Sequence, residues 1–411
     1  MRVLFVLSQR PELTGSGVTL DALVRESTAA GHEAFVLCGV PSGDPVPAVG
    51  GLHPAHVATV SFGPGGDLPY AVPGMSDVMP YESTVWSTMS AERLTSYREV
   101  WSARLADVVT RVRPDLVHLN HLWLVSSIAP RVLGAIPSVV HGHATGLRQM
   151  ELCPPLRDEV VGGLRIHRGF VVLHEEHADR TARALGVGRE RVRVVGAGYR
   201  TDVFGAAETV PAAERRGHLL FVGKYSAAKG LPWLLDACEV RWERGEDFVL
   251  HVAGDGSGPE AEQLRTRMQS QERIVLHGRL DQRELADLMR RSATLVLPSL
   301  YEGLPLVLAE ARACGCSLVS TALEGVVDVI APVLGDALTL VPLPRRNGPD
   351  RVDSRDERSF VRDLIRAIDE ALGRVTEPAP THSLEPFTWH AVFRRVESFW
   401  EDVMASGKDA P

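Results

Sequence analysis

The feature that most limits the fold of this chain is a repeated pairing of a short apolar run with a longer stretch of helical periodicity. The runs are apolar throughout rather than alternating, as in strands that are covered on both faces of a parallel sheet. The pattern predicts an α/β protein with two successive doubly wound domains and a ligand site in the cleft between them, at the carboxyl ends of the strands. The predicted strands are 3–8, 33–39, 115–120, 138–143, 169–175 and 191–196 in the first domain, and 218–223, 248–254, 273–278, 294–299 and 317–321 in the second.

Three segments interrupt this rhythm. Residues 41–90 are rich in Pro and Gly and read as a long irregular insertion, which in an α/β domain is usually functional or mobile. Residues 205–216 are small and polar and predict a linker, so the domains are placed at 1–204 and 205–387. After a polar loop at 343–357 and a helix at 358–373, residues 387–405 form an amphipathic pattern that predicts a final helix.

Charge and cysteine content exclude several classes of protein. The 411 residues carry a net charge of −8, which argues against general nucleic-acid binding and against a basic membrane-docking surface. Apolar runs stay below the ~18–20 residues of a membrane span, and the first residues read as a buried strand rather than a signal peptide. Five cysteines form neither a C-x-x-C pair nor metal-ligand spacing, so we expect reduced thiols and a cytoplasmic protein.

The segment PSLYEGLPLVLAEARACG (298–315) holds two carboxylates around a predicted helix start. Glu302 follows a buried strand, and Glu310 lies about two turns further on. Backbone N–H groups at a helix start attract anions or sugar hydroxyls, so this segment can grip two parts of one polyhydroxylated ligand. From spacing alone, a helix-capping carboxylate and a surface Glu are an equally good interpretation.

The segment LLFVGKYSAAKG (219–230) places two cations after another buried strand. Lys224 and Lys229 follow Gly223 and are two of only three lysines in the chain. Two cations at a strand end beside a helix start suit a diphosphate. The alternative is a pair of solvated surface lysines.

Two weaker signals lie in the first domain. The loop of Gly15, Ser16 and Gly17 can cradle a phosphate, but it lacks the full G-x-G-x-x-G that an NAD-dependent oxidoreductase requires. His141 and His143 end a predicted strand on one side, where each is either a functional group or a polar core residue. A third ligand at suitable spacing and any Asp-x-Asp are absent from the sequence, so we predict no metal.

In combination, these motifs resemble the large family of retaining glycosyltransferases of GT-B fold. The motifs that carry the resemblance, in family order, are GHE at 31–33, VVGAGYRTDVF at 194–204, the Lys-x4-Lys-Gly, AGDGSGPE at 253–260 and PS-x-x-EG-x6-E. Two motifs depart from the family, since its Asn-Gly-x-Asp is Ala-Gly-Tyr-Arg at 197–200 and its Gly-x-Pro is Gly-Cys-Ser at 315–317.

The resemblance implies a role for each matching residue. Glu310 would hold the nucleotide ribose, while Glu302 and the backbone of Gly303, Leu304, Pro305 and Leu306 would hold the donor sugar. Lys224, Lys229 and the loop from Gly15 to Gly17 would meet the diphosphate, with Gly223 beside them. His143 would lie near the donor sugar, and the backbone of Arg279 and Leu280 would meet the base. The last helix, with Trp389 near its start, would cross back onto the first domain.

The predicted reaction is transfer of a sugar from a UDP- or GDP-linked donor to a small acceptor, with retention and without metal or other cofactor. Residues 1–198 carry 18 Lys and Arg against 19 Asp and Glu, and a net charge of −1 favours a soluble acceptor over a lipid. An Arg-rich chain fits secondary-metabolite or thiol-conjugate biosynthesis, with S-glycosylation of a betaine thiol, as in lincosamide assembly, as one option. Acceptor-wall candidates are Tyr81, Trp86, Trp123, His141 and Arg148, although aromatic packing explains the rings equally well.

Other functions remain open at this point. A nucleotide-sugar epimerase or hydrolase of the same fold would turn over donor without acceptor, and a lipid or polysaccharide acceptor would need a different acceptor surface. A non-catalytic nucleotide-sugar-binding module is the least favoured, because both Glu and both Lys are present.

Overall fold

The structure is a computed structural model that describes residues 1–11, 14–76, 79, 81–205, 210–348, 351–374 and 381–406. The chain divides into two compact units, one formed by Met1–Ala197 with Trp389–Pro411 and the other by Gly198–Thr388. The chain first passes from unit 1 to unit 2 between Ala197 and Gly198, a few residues before the predicted boundary between 204 and 205. Within the described ranges, no helix is both long and apolar enough to cross a bilayer.

Unit 1 is built on a seven-stranded parallel sheet of order β3-β2-β1-β4-β5-β6-β7. Its elements up to Ala197 are β1 (Arg2–Leu7), α1 (Gly15–Ala29), β2 (Glu33–Pro41), β3 (Val57–Phe62), α2 (Ala91–Val112), β4 (Leu116–Asn120), α3 (Leu124–Ile128), α4 (Pro130–Leu133), β5 (Ser138–His141), α5 (Ala144–Leu152), α6 (Pro154–Leu164), β6 (Gly169–Val172), α7 (Glu175–Leu185) and β7 (Val192–Val194).

The description of residues 41–90 as wholly irregular is wrong for β3. The segment VATVSF pairs in parallel with β2 and forms the edge of the sheet, with only every second or third side chain buried. An edge strand that is half exposed has no continuous apolar run, and the surrounding Pro and Gly residues hide its β-branched character.

Unit 2 is built on a six-stranded parallel sheet of order β10-β9-β8-β11-β12-β13. Its elements are α8 (Ala212–Arg215), β8 (His218–Val222), α9 (Leu231–Glu243), β9 (Val249–Ala253), α10 (Pro259–Gln269), β10 (Ile274–Gly278), α11 (Gln282–Arg291), β11 (Thr294–Leu297), α12 (Val307–Ala313), β12 (Ser317–Thr321), α13 (Ala331–Leu334), β13 (Leu338–Val341) and α14 (Glu357–Leu372). The sequence did not predict β13, which is four residues long and pairs with β12. The last helix of the chain is α15 (Trp389–Ala405), and it belongs to unit 1.

Alternation along the strands divides the core of unit 1 into two layers. Leu4 and Val6 of β1 face the layer of α2 to α7, whereas Val3, Phe5 and Leu7 face α1 and α15. The α15 helix is tied to the sheet by a hydrogen bond in which Trp400 Nε1 donates to His118 Nδ1 at 3.1 Å. The predicted return of this helix to the first domain is therefore confirmed.

In unit 2, the same alternation places α9, α10 and α14 on one face of the sheet and α11 and α12 on the other. The strands end at one edge of each sheet, and the loops that follow them carry most of the predicted site residues. Because β8 and β11 are neighbours in the sheet, the two segments with the paired Lys and the paired Glu follow adjacent strands.

Candidate functional site

The site of unit 2 is centred on a contact between Lys229 and Glu302. Lys229 Nζ donates to Glu302 Oε1 at 2.6 Å, and Ser299 Oγ donates to the same oxygen at 2.8 Å. The two loops are also joined through their backbone, since the Leu300 N–H donates to the Ala228 carbonyl at 2.9 Å. Both charged side chains are largely buried, with 25% of Lys229 and 16% of Glu302 exposed. The structure therefore brings together a cation and a carboxylate that are 73 residues apart in sequence.

Two glycines allow the strand ends to approach this closely. Gly230 has a φ of +71°, and a Cβ at this position would lie 2.0 Å from the Pro298 carbonyl oxygen. Gly254 has a φ of +130°, and its Cβ would lie 2.0 Å from the carbonyl oxygen of Gly223. A side chain at either position would force the backbone apart, so these glycines fix the spacing of the loops that follow β8, β9 and β11.

The other predicted acid, Glu310, lies in α12 in different surroundings. Its carboxylate has no ion-pair or hydrogen-bond partner within the described ranges, and burial raises its pKa from 4.5 to about 7. Desolvation disfavours the charged form of an acid, so an unpaired carboxyl here is only partly ionised near neutral pH. Hydroxyl groups that donate to it would stabilise the charged form.

The predicted set of four backbone donors from Gly303 to Leu306 is wrong in two places. Pro305 has no N–H, and the Leu306 N–H donates to the Leu304 carbonyl at 3.0 Å. The α12 helix begins only at Val307, so this segment is a turn before the helix rather than its first turn. Gly303 and Leu304 remain as the donors of the predicted set that can meet a ligand.

The predicted base-binding stretch lies after β10. Leu280 packs against the core beside α11, and the next residue, Asp281, caps that helix by accepting from the Arg283 and Glu284 N–H groups. Arg279 Nε lies 3.8 Å from a carboxylate oxygen of Asp255, in the loop after β9. Lys224 is exposed directly after Gly223. These residues all follow carboxyl ends of strands, as predicted.

In unit 1, the glycine loop begins α1 and is held by a chain of polar contacts. Thr14 caps the helix by accepting from the Gly17 N–H at 3.1 Å. Ser16 Oγ donates to Gln9 Oε1 at 3.3 Å, and Gln9 Nε2 donates to the Tyr81 hydroxyl at 3.3 Å. Tyr81, which the sequence analysis assigned to the acceptor wall, is therefore linked by hydrogen bonds through Gln9 to the glycine loop, which was assigned to the diphosphate of the donor. Sequence reasoning missed Gln9, which is buried two residues after β1.

The histidines after β4 and β5 form a buried cluster. The rings of His141 and His143 are parallel and their centroids are 4.6 Å apart, so the prediction that both side chains lie on the same side is confirmed. The strand itself is shorter than predicted, since β5 ends at His141 and His143 is the residue before α5. His143 Nε2 is 3.0 Å from Asn120 Oδ1, and the ring of His121 lies 4.8 Å from that of His143. Burial lowers the pKa of His141 and His143 well below its usual value, so both rings are neutral.

The structure places Trp86 and Trp123 in the core rather than on an open wall. Their rings meet edge to face at 5.7 Å, and the side chains are 2% and 1% exposed. Neither ring has a face open to a stacking ligand. Of the two interpretations that the sequence left open, aromatic packing is therefore the one that the structure supports for Trp86 and Trp123. Arg148, on α5, is partly exposed. The described residues include no group of three or more His, Cys, Asp or Glu arranged to hold a metal.

Comparisons with known proteins give a consistent result. A family model described as "Glycosyl transferase 4-like domain" matches residues 14–198, and one described as "Glycosyl transferases group 1" matches residues 216–369. Together the two spans cover more than four-fifths of the chain.

Individual relatives extend over most of both sequences. The chain is 29% identical to a glycogen synthase of Mycobacterium tuberculosis, over 80% of each chain. It is 27% identical to a 2-deoxystreptamine N-acetyl-D-glucosaminyltransferase of Streptomyces fradiae, over 67% of this chain and 71% of the relative. Among solved structures, a sucrose-phosphate synthase from Thermosynechococcus elongatus superposes with a TM-score of 0.69 at 17% identity, over 99% of this chain and 100% of that one. These matches and the two parallel sheets show that the chain belongs to the group 1 glycosyltransferases of GT-B fold.

Proposed function

We propose that this glycosyltransferase moves a sugar from a nucleoside diphosphate sugar, UDP- or GDP-linked, to a small soluble acceptor, with retention and without a metal ion. The observation that carries the proposal is the Lys229–Glu302 contact at the carboxyl ends of β8 and β11, next to the Gly303 and Leu304 amides. These loops bring together an ammonium group, a carboxylate and two backbone N–H donors. Such a set suits a ligand in which a diphosphate is joined to a hydroxylated ring.

Lys229 stabilises the departing diphosphate in this mechanism. A lysine ammonium has three donors, and Glu302 accepts from one of them, which leaves two for phosphate oxygens. Glu302 and Ser299 fix the position of Nζ before the ligand arrives, so little reorganisation is needed when negative charge develops on the leaving group. Lys224 adds a second positive charge from the same loop, which replaces the charge that a divalent ion would supply.

Glu310 accepts hydroxyl groups of the ribose. Its carboxyl is unpaired within the described residues and partly protonated near neutral pH, and two hydroxyls that donate to it would favour the ionised form. Binding of the nucleotide therefore releases a proton from Glu310, and affinity is expected to rise as the pH increases through about 7.

The setting of the reaction is also a proposal. All five cysteines are buried and unpaired with one another, which is typical of a reducing cytoplasm. The similarity to a transferase that is named for 2-deoxystreptamine supports a role in antibiotic biosynthesis. The similarity to glycogen synthase over 80% of the chain supports a second candidate, a polysaccharide acceptor.

A thermal-shift experiment tests the donor site. UDP, GDP, ADP and dTDP are each added with and without EDTA, and a nucleotide at 100 times its Kd should stabilise the protein by about 2.7 kcal/mol. We expect UDP or GDP to give this shift, without effect of EDTA, and Glu310→Ala to abolish it. No shift with any of the four, or a shift that EDTA removes, contradicts the proposal.

Turnover tests the role of Lys229 and the stereochemistry. Loss of one preorganised donor to a developing charge slows a reaction about 10²–10³-fold, and we expect this for Lys229→Ala. A folded Lys229→Ala protein with the wild-type rate rules out the assigned role. The anomeric configuration of the glycoside product, read by NMR from the one-bond C1–H1 coupling, distinguishes retention from inversion. Glycogen included as acceptor tests the second candidate.

A further inference from the structure

Between β13 and α14, residues 345–347 and 351–353 of unit 2 form a short antiparallel ladder. The sequence analysis described this segment only as a polar loop. Arg346 and Val352 lie opposite each other at the centre of the ladder. The flanking backbone hydrogen bonds, at 2.8 and 2.9 Å, run from the N–H of Asp353 to Arg345 and from the N–H of Asn347 to Arg351. In a pair that is flanked in this way, the two opposing side chains lie close together on one side of the ladder.

The side of the ladder that carries Arg346 and Val352 faces the core of unit 2. Val352 is 4% exposed and belongs to the same apolar cluster as Leu300, which is wholly buried in the loop after β11. From this position, Arg346 Nη1 donates to the Leu300 carbonyl oxygen at 2.9 Å. A guanidinium that donates to a carbonyl forms a charge-assisted bond, which is stronger than a bond between neutral groups. The ladder therefore holds the backbone of the loop after β11 at Leu300.

Arg346 differs from the neighbouring arginines in its partner. Arg345 lies 2.5 Å from a carboxylate oxygen of Asp356, and Arg355 lies 2.6 Å from one of Asp353, so acids of the same segment neutralise both. Arg346 has no ion pair within the described residues, and its side chain contacts a carbonyl that lies 46 residues earlier in the sequence. Two of these arginines therefore stabilise the ladder itself, whereas the third contacts the loop that carries the donor site.

The two peptide groups of Leu300 are held by different parts of unit 2. Its N–H donates to the Ala228 carbonyl at 2.9 Å, which joins this loop to the lysine turn. Its carbonyl, which accepts from Arg346, belongs to the next peptide group, and that group leads through Tyr301 to Glu302. Among the contacts of the described residues, Arg346 is the sole donor to this carbonyl. Loss of the bond would free the peptide group to rotate, and the backbone that orients the Glu302 carboxylate would rotate with it.

We propose that Arg346 is a positioning residue for the donor sugar, and that it acts through the Leu300 carbonyl on Glu302. This assignment rests on the proposed function, because it concerns the carboxylate that holds the sugar of the donor. Its physical basis is preorganisation, since a carboxylate that is already oriented binds and aligns the sugar with a smaller loss of conformational entropy. The assignment requires no contact between Arg346 and the donor itself.

Three variants separate this hydrogen bond from the rest of the ladder. Arg346→Met keeps a long unbranched side chain and removes the donor, whereas Arg346→Lys keeps a positively charged donor. Arg345→Met breaks the ion pair with Asp356 in the same ladder and serves as the matched control. Both arginines are exposed, so we expect all three variants to fold, and the Tm of each is measured.

The assay is release of nucleotide from UDP-glucose and from GDP-mannose, together with the Kd of UDP and of GDP. We expect Arg346→Met to lower kcat/KM for the donor sugar about tenfold or more, while the Kd of the nucleotide stays within about twofold of wild type. Arg346→Lys should restore most of the lost kcat/KM, and Arg345→Met should leave it within about twofold of wild type, whatever its Tm. An unchanged kcat/KM in Arg346→Met, no recovery in Arg346→Lys or an equal fall in Arg345→Met overturns the inference.

A double-mutant cycle with Glu302 tests the route by which Arg346 acts. Effects of two residues that act as a unit are strongly non-additive, whereas independent effects on kcat/KM multiply. In a Glu302→Gln background, we therefore expect Arg346→Met to change kcat/KM by less than about threefold. A further fall of about tenfold in that background means that Arg346 acts elsewhere, and it overturns the inference. Failure of the wild-type protein to bind either nucleotide or to turn over either donor overturns the proposed function instead.

Discussion

Replacement of Glu310 by Gln should stabilise this protein, and the gain should depend on pH. The structure raises the pKa of this carboxyl from 4.5 to about 7 by burial, so the folded state holds a proton that the unfolded state has lost between these values. Stability therefore falls as the pH rises from about 4.5 to 7, and the full difference corresponds to about 3 kcal/mol. Glu310→Gln has the shape of the neutral acid and cannot ionise, so it avoids this loss.

The measurement is the midpoint of thermal unfolding of both proteins at pH 5, 6, 7 and 8 without nucleotide. We expect the variant to be more stable by less than about 1 kcal/mol at pH 5 and by about 2–3 kcal/mol at pH 8. Glu262→Gln, on α10, removes the same charge from a side chain that is 66% exposed and serves as the control. A difference between Glu310→Gln and wild type that is the same at pH 5 and pH 8 refutes the reasoning, since a fixed offset cannot arise from titration.

Two further perturbations test unit 1. Gly17→Ala places a Cβ 1.9 Å from the Pro11 carbonyl oxygen and should lower stability by about 1–3 kcal/mol, whereas Gly15→Ala meets nothing within 4 Å and should be neutral or stabilising. Equal midpoints of urea unfolding for the two variants would contradict the close packing of this loop. Burial lowers the pKa of His177 from 6.5 to about 3, so stability should be lost as the pH falls below about 6.5, and His177→Gln should reduce that slope by up to about 1.4 kcal/mol per pH unit between pH 6 and 4. An unaltered slope in the variant would show that folding does not lower the pKa of this ring.

Most of the architecture follows from the periodicity of the sequence, because strands that are buried on both faces have a signal that local propensity cannot hide. All eleven predicted strands are present. The two that were missed, β3 and β13, each form one edge of their sheet, whereas the strands at the other edges, β7 and β10, were predicted. β3 lies among Pro and Gly residues and is only partly buried, and β13 has only four residues, so the pattern of each resembles that of a loop.

The sequence predicts those parts of the site that lie directly after the ends of strands. Lys229 and Glu302 were both assigned to the donor, and adjacency of β8 and β11 brings them into contact. The pairing itself depends on the turn of Ala227–Lys229, which the spacing of two lysines does not reveal. The burial of Trp86 and Trp123 depends on how the insertion packs in the core of unit 1, which the periodicity of the sequence does not reveal.

The assignment of α15 to unit 1 has a consequence for synthesis of the chain. The face of the first sheet that carries Phe5 is completed by Trp400, whose ring lies 5.8 Å from that of Phe5. Roughly 190 residues of unit 2 are translated between the two parts of unit 1, which at ~5–20 residues per second takes about 10–40 s. The apolar side of the first sheet therefore receives its last helix only after the whole of unit 2 has been synthesised.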